Sequence, residues 1–149
     1  MADTISKIYL EWDTIHDLVD VLAEKIITNY PNIDSITGLA RGGLIPSVLL
    51  SHKLDIPWTL AVHKNTLVVD DINDTGATFN WIKQDWMNAC MPNETDAWNS
   101  VWSGNVRFAT LTDNLASNFD QCVNYCCDTI NKDEDDVWLV YPWENVGEY

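Results

Sequence analysis

The chain has 149 residues carrying 23 acidic and 8 basic side chains, a formal charge of −15. Its length accommodates one domain, residues 1–149, with a well-formed core, and its charge repels a phosphate backbone and so disfavours nucleic-acid binding. No apolar run approaches the roughly 18 residues of a membrane span and no charged-then-apolar leader is visible, so a soluble, cytoplasmic protein with no membrane partner is expected.

In chain order, Asp13 is placed to cap a helix running to about Asn29, because Ile15, Leu18, Leu22 and Ile26 recur near helical spacing and Pro31 closes the segment. Ile33 to Ala40 reads as a strand, and Arg41-Gly42-Gly43 as a tight turn into a second helix that tolerates Pro46 in its first turn. Trp58 to Val62 and Thr66 to Asp70 read as two more strands, joined by the hairpin-length His63-Lys64-Asn65. A helix is expected from residue 77 to about 91, a strand over Val106 to Leu111, a helix over Phe119 to Ile130 and a short strand over Val137 to Tyr141. Strands alternating with helices give an α/β fold, a mostly parallel twisted sheet flanked by helices, whose ligands bind at the carboxyl ends of the strands.

The four cysteines, Cys90, Cys122, Cys126 and Cys127, form no disulfide framework, and Cys122 and Cys126, four apart on the expected helix, lack the further ligands of a metal site. The run Asp133-Glu134-Asp135-Asp136 reads as a solvated loop.

Leu67 to Thr78 is the stretch that carries chemistry. An apolar run ends in paired carboxylates, Asp70 and Asp71, and passes into the hydroxyl-bearing turn Asp74-Thr75-Gly76-Ala77-Thr78. Adjacent carboxylates suit two neighbouring ring hydroxyls, and main-chain N–H groups opening a helix suit a phosphate, so the layout fits a sugar phosphate. Asp and Gly also favour ordinary turns, but a turn needs neither the second acid, nor Thr78, nor the apolar strand before it. Arg41-Gly42-Gly43 likewise lets the main chain approach an anion closely; taken alone it is equally a sharp strand-to-helix turn.

Leu67 to Thr78 resembles the phosphoribosyl pyrophosphate (PRPP) signature of the type I phosphoribosyltransferases, in which a hydrophobic strand and two acids are followed, after two variable residues, by Asp-Thr-Gly-x-Thr. Ile36 to Pro46 resembles the pyrophosphate loop of that family. Tyr9 to Trp12 and Val137 to Glu144 resemble the opening and closing segments of its purine-salvage branch, the xanthine, guanine and hypoxanthine enzymes, and the likeness covers about residues 8–83, 105–112 and 137–144.

The resemblance implies the type I phosphoribosyltransferase fold with a small hood from the chain ends. It implies transfer of the 5-phosphoribosyl group from PRPP to a purine base, with Mg²⁺ and release of pyrophosphate. Asp70 and Asp71 would then bind the ribose hydroxyls, with Asp71 helping to hold Mg²⁺, and Asp74 would be the general base near the purine N7. Asp74, Thr75, Gly76, Ala77 and Thr78 would hold the 5′-phosphate. Ala40, Arg41, Gly42 and Gly43 would hold the pyrophosphate, often across a strained or cis peptide. Trp138, which otherwise reads as a core tryptophan, would stack on the purine, and the main chain of Leu139 would bond its edge. A homodimer is implied as well.

Two departures stand out. Relatives carry a lysine after the strand equivalent to 106–111 that reads the 6-oxo group, whereas Thr110-Leu111-Thr112-Asp113-Asn114 holds none, and an acid or amide there suits an amino group or a differently oriented base. Relatives also place a long mobile loop where only His63-Lys64-Asn65 stands. Either residues 84–104, with Trp86, Trp98 and Trp102, form a substitute cover, or the chain is slow or silent and serves as a PRPP- or nucleotide-binding regulator of the same fold.

Overall fold

Consecutive residues of two central strands, β3 (Thr66–Asn73) and β4 (Arg107–Asn114), point to opposite faces of one sheet and are buried on both, as parallel strands covered by helices require. The computed structural model describes residues 6–28, 32–60, 62, 65–89, 106–119, 123–135 and 137–144, excluding the side chains of 83 and 85–89. Within these, β2 (Ser35–Gly38), β3, β4 and β5 (Tyr125–Ile130) form a four-stranded parallel sheet in that order, and β1 (Ser6–Tyr9) pairs in parallel with β6 (Val137–Val140) in a separate two-stranded sheet.

Leu67, Val69, Ala109 and Leu111 pack on one side against Ile15, Val19, Leu22 and Ile26 of α1 (Trp12–Thr28) and Leu50 of α2 (Leu44–Leu54). Val68 and Phe108 face the other way, against Phe79 and Ile82 of α3 (Ala77–Ala89). There Phe79, Phe108 and Phe119 form a triangle with centroids 5.0–5.1 Å apart. Each fully buried side chain of this size contributes about 1.5–3 kcal/mol relative to exposure, so both faces matter to stability. No helix among the described residues is long and apolar enough to cross a membrane.

The structure corrects four sequence expectations. Where a helix is expected over Phe119 to Ile130, residues 125–130 form β5 instead, and aromatic and β-branched Tyr125, Thr129 and Ile130 suit a strand. Asn124, bonded to the Phe108 main chain through both its backbone N–H and its side-chain oxygen, sets its register against β4. Cys126 therefore lies on a strand, where the proposed helical spacing to Cys122 has no meaning, and Cys122 and Cys90 lie outside the described residues.

Among the described residues of Trp58 to Val62 no strand forms either: Trp58 makes a bridge, in parallel to Ile36 at the far side of β2, Leu60 is 87% exposed, and Ala61, His63 and Lys64 lie outside the described residues. Helix α1 opens at Trp12, with Ile15 N–H donating to Glu11 O, so Asp13 sits in the first turn, where its charge favours the helix N-terminus. Finally, β3 and β4 run three residues further than expected, to Asn73 and Asn114.

Tyr141 fastens the β1–β6 hood to the sheet. The side chain is fully buried and stacks on Trp143 at 5.0 Å; its hydroxyl donates to Asp71 O at 3.2 Å and meets Thr112 Oγ1 at 3.1 Å. Tyr141→Phe keeps the packing and deletes the donor. Urea denaturation should show a loss of about 1–2 kcal/mol, and an unchanged midpoint would mean the hydroxyl does not tie the hood down.

Candidate active site

Because β2 and β3 are adjacent and parallel, the loops that leave them open on the same edge of the sheet. Asp70 and Asp71 are 9% and 8% exposed there. Asp71 N–H donates to Asp70 Oδ1 at 2.9 Å, and Ile72 N–H to Asp71 Oδ1 at 2.8 Å. Burial first, and then the neighbouring Asp71 charge, push the Asp70 carboxyl up to about 8. Burial and the same Asp71 charge also raise Glu144.

The loop after β2 closes over these carboxylates, and its glycines allow that. A Cβ on Gly42 would fall 2.2 Å from Asp71 Oδ2, and one on Gly43 2.2 Å from Val69 O. The Ala40–Arg41 peptide is cis, as the family resemblance implies. Arg41, Gly42, Leu44, Ile45, Asp71, Trp143 and Glu144 line a cavity of about 670 Å³.

Beyond the acid pair, the turn into α3 forms an anion cradle. Gly76 has φ +87°, and a side chain on it would meet Phe119 N at 2.2 Å. Thr75 Oγ1 accepts from Ala77 N–H, and the first turn of α3 carries no acid to offset its N-terminal N–H groups. Asp70 to Gly76, with Thr78 and Phe79, line a cavity of about 250 Å³. Asn118 N–H donates to Thr75 O at 2.7 Å and Asn73 Nδ2 reaches Asp113 and Ser117, so the segment after β4 braces the turn.

Asp74 also borders a third cavity, where its carboxylate meets a cation. Ile72, Asp74, Lys132, Trp138, Leu139, Tyr141 and Glu144 line a space of about 80 Å³, in which Lys132 Nζ lies 3.0 Å from Asp74 Oδ2 and 5.7 Å from the Trp138 ring centroid. Trp138 is half exposed and so is not a core tryptophan. Leu139 pairs with Ile8 in the hood, which sets its main chain at the rim.

Of the candidate site residues, Arg41, Gly42, Asp70, Asp71, Asp74, Thr75, Gly76, Thr78, Trp138 and Leu139 line these three cavities, while His63, Lys64, Trp98 and Trp102 lie outside the described residues. Lys132 escaped the sequence reading. Its signal was a lone base before the acidic run; Asp133, Glu134 and Asp135 are exposed as expected of a solvated loop, but Lys132 turns inward.

Among the described residues no three carboxylate, histidine or cysteine side chains form a closed metal cage. Mg²⁺ needs none, since it binds through one or two carboxylates together with phosphate oxygens and water. A buried acid pair in which burial, and then the neighbouring charge, keep a proton on Asp70 is a fitting donor set for it.

Since Asp70 holds its proton more tightly when folded than when unfolded, its contribution to stability without divalent cations should be fully present below about pH 4 and be lost as pH rises through about 8. Asp70→Asn should flatten that slope, measured as urea midpoints at pH 5 and pH 8. Equal slopes in the two proteins would show that Asp70 is not the group responsible.

No family model matches the chain. It is 22% identical to the xanthine-guanine phosphoribosyltransferase of Nitratidesulfovibrio vulgaris (Hildenborough) over 173 aligned positions, covering 99% of this chain and 91% of that protein. Its structure superposes on the purine phosphoribosyltransferase of Pyrococcus horikoshii with a TM-score of 0.70 at 26% identity, covering 96% of this chain and 97% of that one. A protein of Neisseria gonorrhoeae described as hypothetical, solved with bound ppGpp, matches with a TM-score of 0.71 at 19% identity, over 97% and 93% of the two chains. The chain has the type I phosphoribosyltransferase fold, and both its N. vulgaris relative and its P. horikoshii neighbour, matched almost end to end, are purine phosphoribosyltransferases.

Proposed function

We propose that this protein transfers the 5-phosphoribosyl group of PRPP to a purine base, forming a nucleoside monophosphate and pyrophosphate. The observation that carries this reading is the meeting of three cavities at the end of β3: Asp71 borders two of them, Asp74 two, and Glu144 two. One ligand with a phosphate at one end, a pyrophosphate at the other and a base docking beside it matches that division.

In this reading Thr75 to Thr78 hold the 5′-phosphate, Asp70 and Asp71 hold the ribose hydroxyls, and the main chain of Ala40 to Gly43 holds the pyrophosphate. Asp71, seated against Gly42, would hold Mg²⁺, which would supply positive charge to offset that of the leaving pyrophosphate. A ring nitrogen of the base attacks the anomeric carbon as the carbon–oxygen bond to pyrophosphate breaks. The carboxylates beneath the ring stabilise the positive charge that develops there. Asp74 takes the proton the purine must lose, and Trp138 stacks on the base.

Incubation with PRPP, Mg²⁺ and each purine base in turn should yield nucleotide by chromatography. Asp74→Asn should lower kcat by about 10²–10⁴-fold while PRPP still binds by calorimetry. Product that survives replacement of both Asp70 and Asp71 by Asn would overturn the site assignment.

The ppGpp-bound Neisseria neighbour favours a second reading, a nucleotide-binding regulator that performs no transfer. Tight PRPP or ppGpp binding with no product from any base would select it.

A further inference from the structure

The buried hydroxyls of the sheet and its helices are bonded at nearly every position: Ser35 meets Thr66, Ser47 donates to Leu44 O, and Thr112 meets Tyr141. Among the described residues, the buried side-chain polar atoms without a partner are Thr110 Oγ1 and Trp143 Nε1. Thr110 is the deeper residue, fully buried in the middle of β4. Stability alone gives no reason for a hydroxyl there. Valine has the same shape without the polar atom and suits a strand equally, and Val68 and Val69 fill comparable positions on β3. The threonine leaves a donor dehydrated and unused.

The register shows what that donor stands beside. Thr110 pairs with Asp70, as Phe108 pairs with Val68 two residues earlier. Val68 and Phe108 pack toward α3, so alternation along both strands turns Asp70 and Thr110 to that same face. Neighbouring strands lie about 4.8 Å apart, and a side-chain rotation is enough to bring one group to the other. Asp70 borders the cavity of the phosphate cradle, and its Oδ1 accepts Asp71 N–H at 2.9 Å. On the opposite flank Thr110 pairs with Cys126, whose thiol is a weak acceptor.

We infer that Thr110 is a positioning residue for Asp70: its hydroxyl, without a partner in the free protein, donates to the Asp70 carboxylate when a ribose occupies the site and fixes the rotamer that takes the ring hydroxyl. The inference rests on the transfer reading above, in which Asp70 holds the ribose. A carboxylate has about four lone-pair sites, so Asp70 accepts from Asp71 N–H, from Thr110 and from a ribose hydroxyl together. The Thr110 hydroxyl therefore destabilises the empty protein and stabilises the occupied one, which sets its effect on binding against its effect on folding.

That opposition is measurable on the full-length protein, by urea denaturation without ligand and by calorimetry with PRPP and Mg²⁺. Thr110→Val should raise the urea midpoint, because it removes the unpartnered hydroxyl, and yet weaken PRPP binding about 10–100-fold, the range for one hydrogen bond to a charged group. Thr110→Ser keeps the hydroxyl and should retain most of the affinity, although loss of the buried methyl lowers its midpoint. In an Asp70→Ala background, Thr110→Val should cause no further loss of affinity. A lower midpoint for Thr110→Val would mean that the hydroxyl is already bonded in the free protein. Unchanged affinity would make Thr110 a packing residue, and an undiminished loss in the Asp70→Ala background would mean that it acts elsewhere. Each of these overturns the inference while leaving the transfer reading in place, whereas a wild type that binds no PRPP would remove that reading and this inference with it.

Discussion

The rest of the site depends on how closely one loop backbone approaches the end of one strand. Gly42 lies against the Asp71 carboxylate and Gly43 against the Val69 carbonyl, each nearer than any side chain would allow, and Leu39 N–H donates to Val69 O at 2.9 Å to hold the loop there. The same closeness keeps water from the acid pair, and that exclusion is what drives Asp70 to retain a proton. A residue with a Cβ at position 42 would have to displace the Asp71 carboxylate, so the sharp turn and the buried acid are two aspects of one constraint.

A layer of buried polar side chains supports that edge. Asn73, Thr112 and Asn114 are all at most 5% exposed, and each is spent on a loop or on the hood: Asn73 on the segment after β4, Thr112 on Tyr141, Asn114 on Asp74 and Lys132. Strands that continued as apolar runs to their ends would leave these loops unanchored. The three extra residues on β3 and β4 carry Asn73, Thr112 and Asn114 to the level of the site, so the extension is how the sheet fixes its own loops.

What could be read from the sequence was whatever is encoded locally. The acid pair, the cradle and the glycine loop each lie within a dozen consecutive residues, where strand, turn and helix signals follow in order. The first helix face was legible for the same reason, although Val19 and Ala23 rather than Leu18 complete its buried side. Strand β5 was misread because its apolar residues are few and its pairing partner, β4, is remote in sequence; the register of Ala109 against Tyr125 is a tertiary fact. Lys132 was missed on the same grounds. Lys132 lies two residues beyond Ile130, which pairs with Asn114 at the end of β4, and only that strand pairing brings it to Asp74.

The acidity of the chain also takes on a different weight once charge is located rather than summed. A formal charge of −15 argues against a long polyanion, which would meet the whole surface at once. A small phosphorylated ligand meets only its immediate surroundings, because at physiological ionic strength charges beyond about 8 Å are largely screened. Within that radius of the cradle stand the N–H groups opening α3, with no acid in its first turn. In the cavity beside Trp138, the Asp74 charge is already answered by Lys132. The remaining negative charge at this edge is gathered in the Asp70–Asp71 pair and Glu144, where burial and then the Asp71 charge raise the carboxyls of Asp70 and Glu144. An acidic protein can accept a polyphosphate on these terms if the excess negative charge at the binding edge is concentrated where a divalent cation would sit.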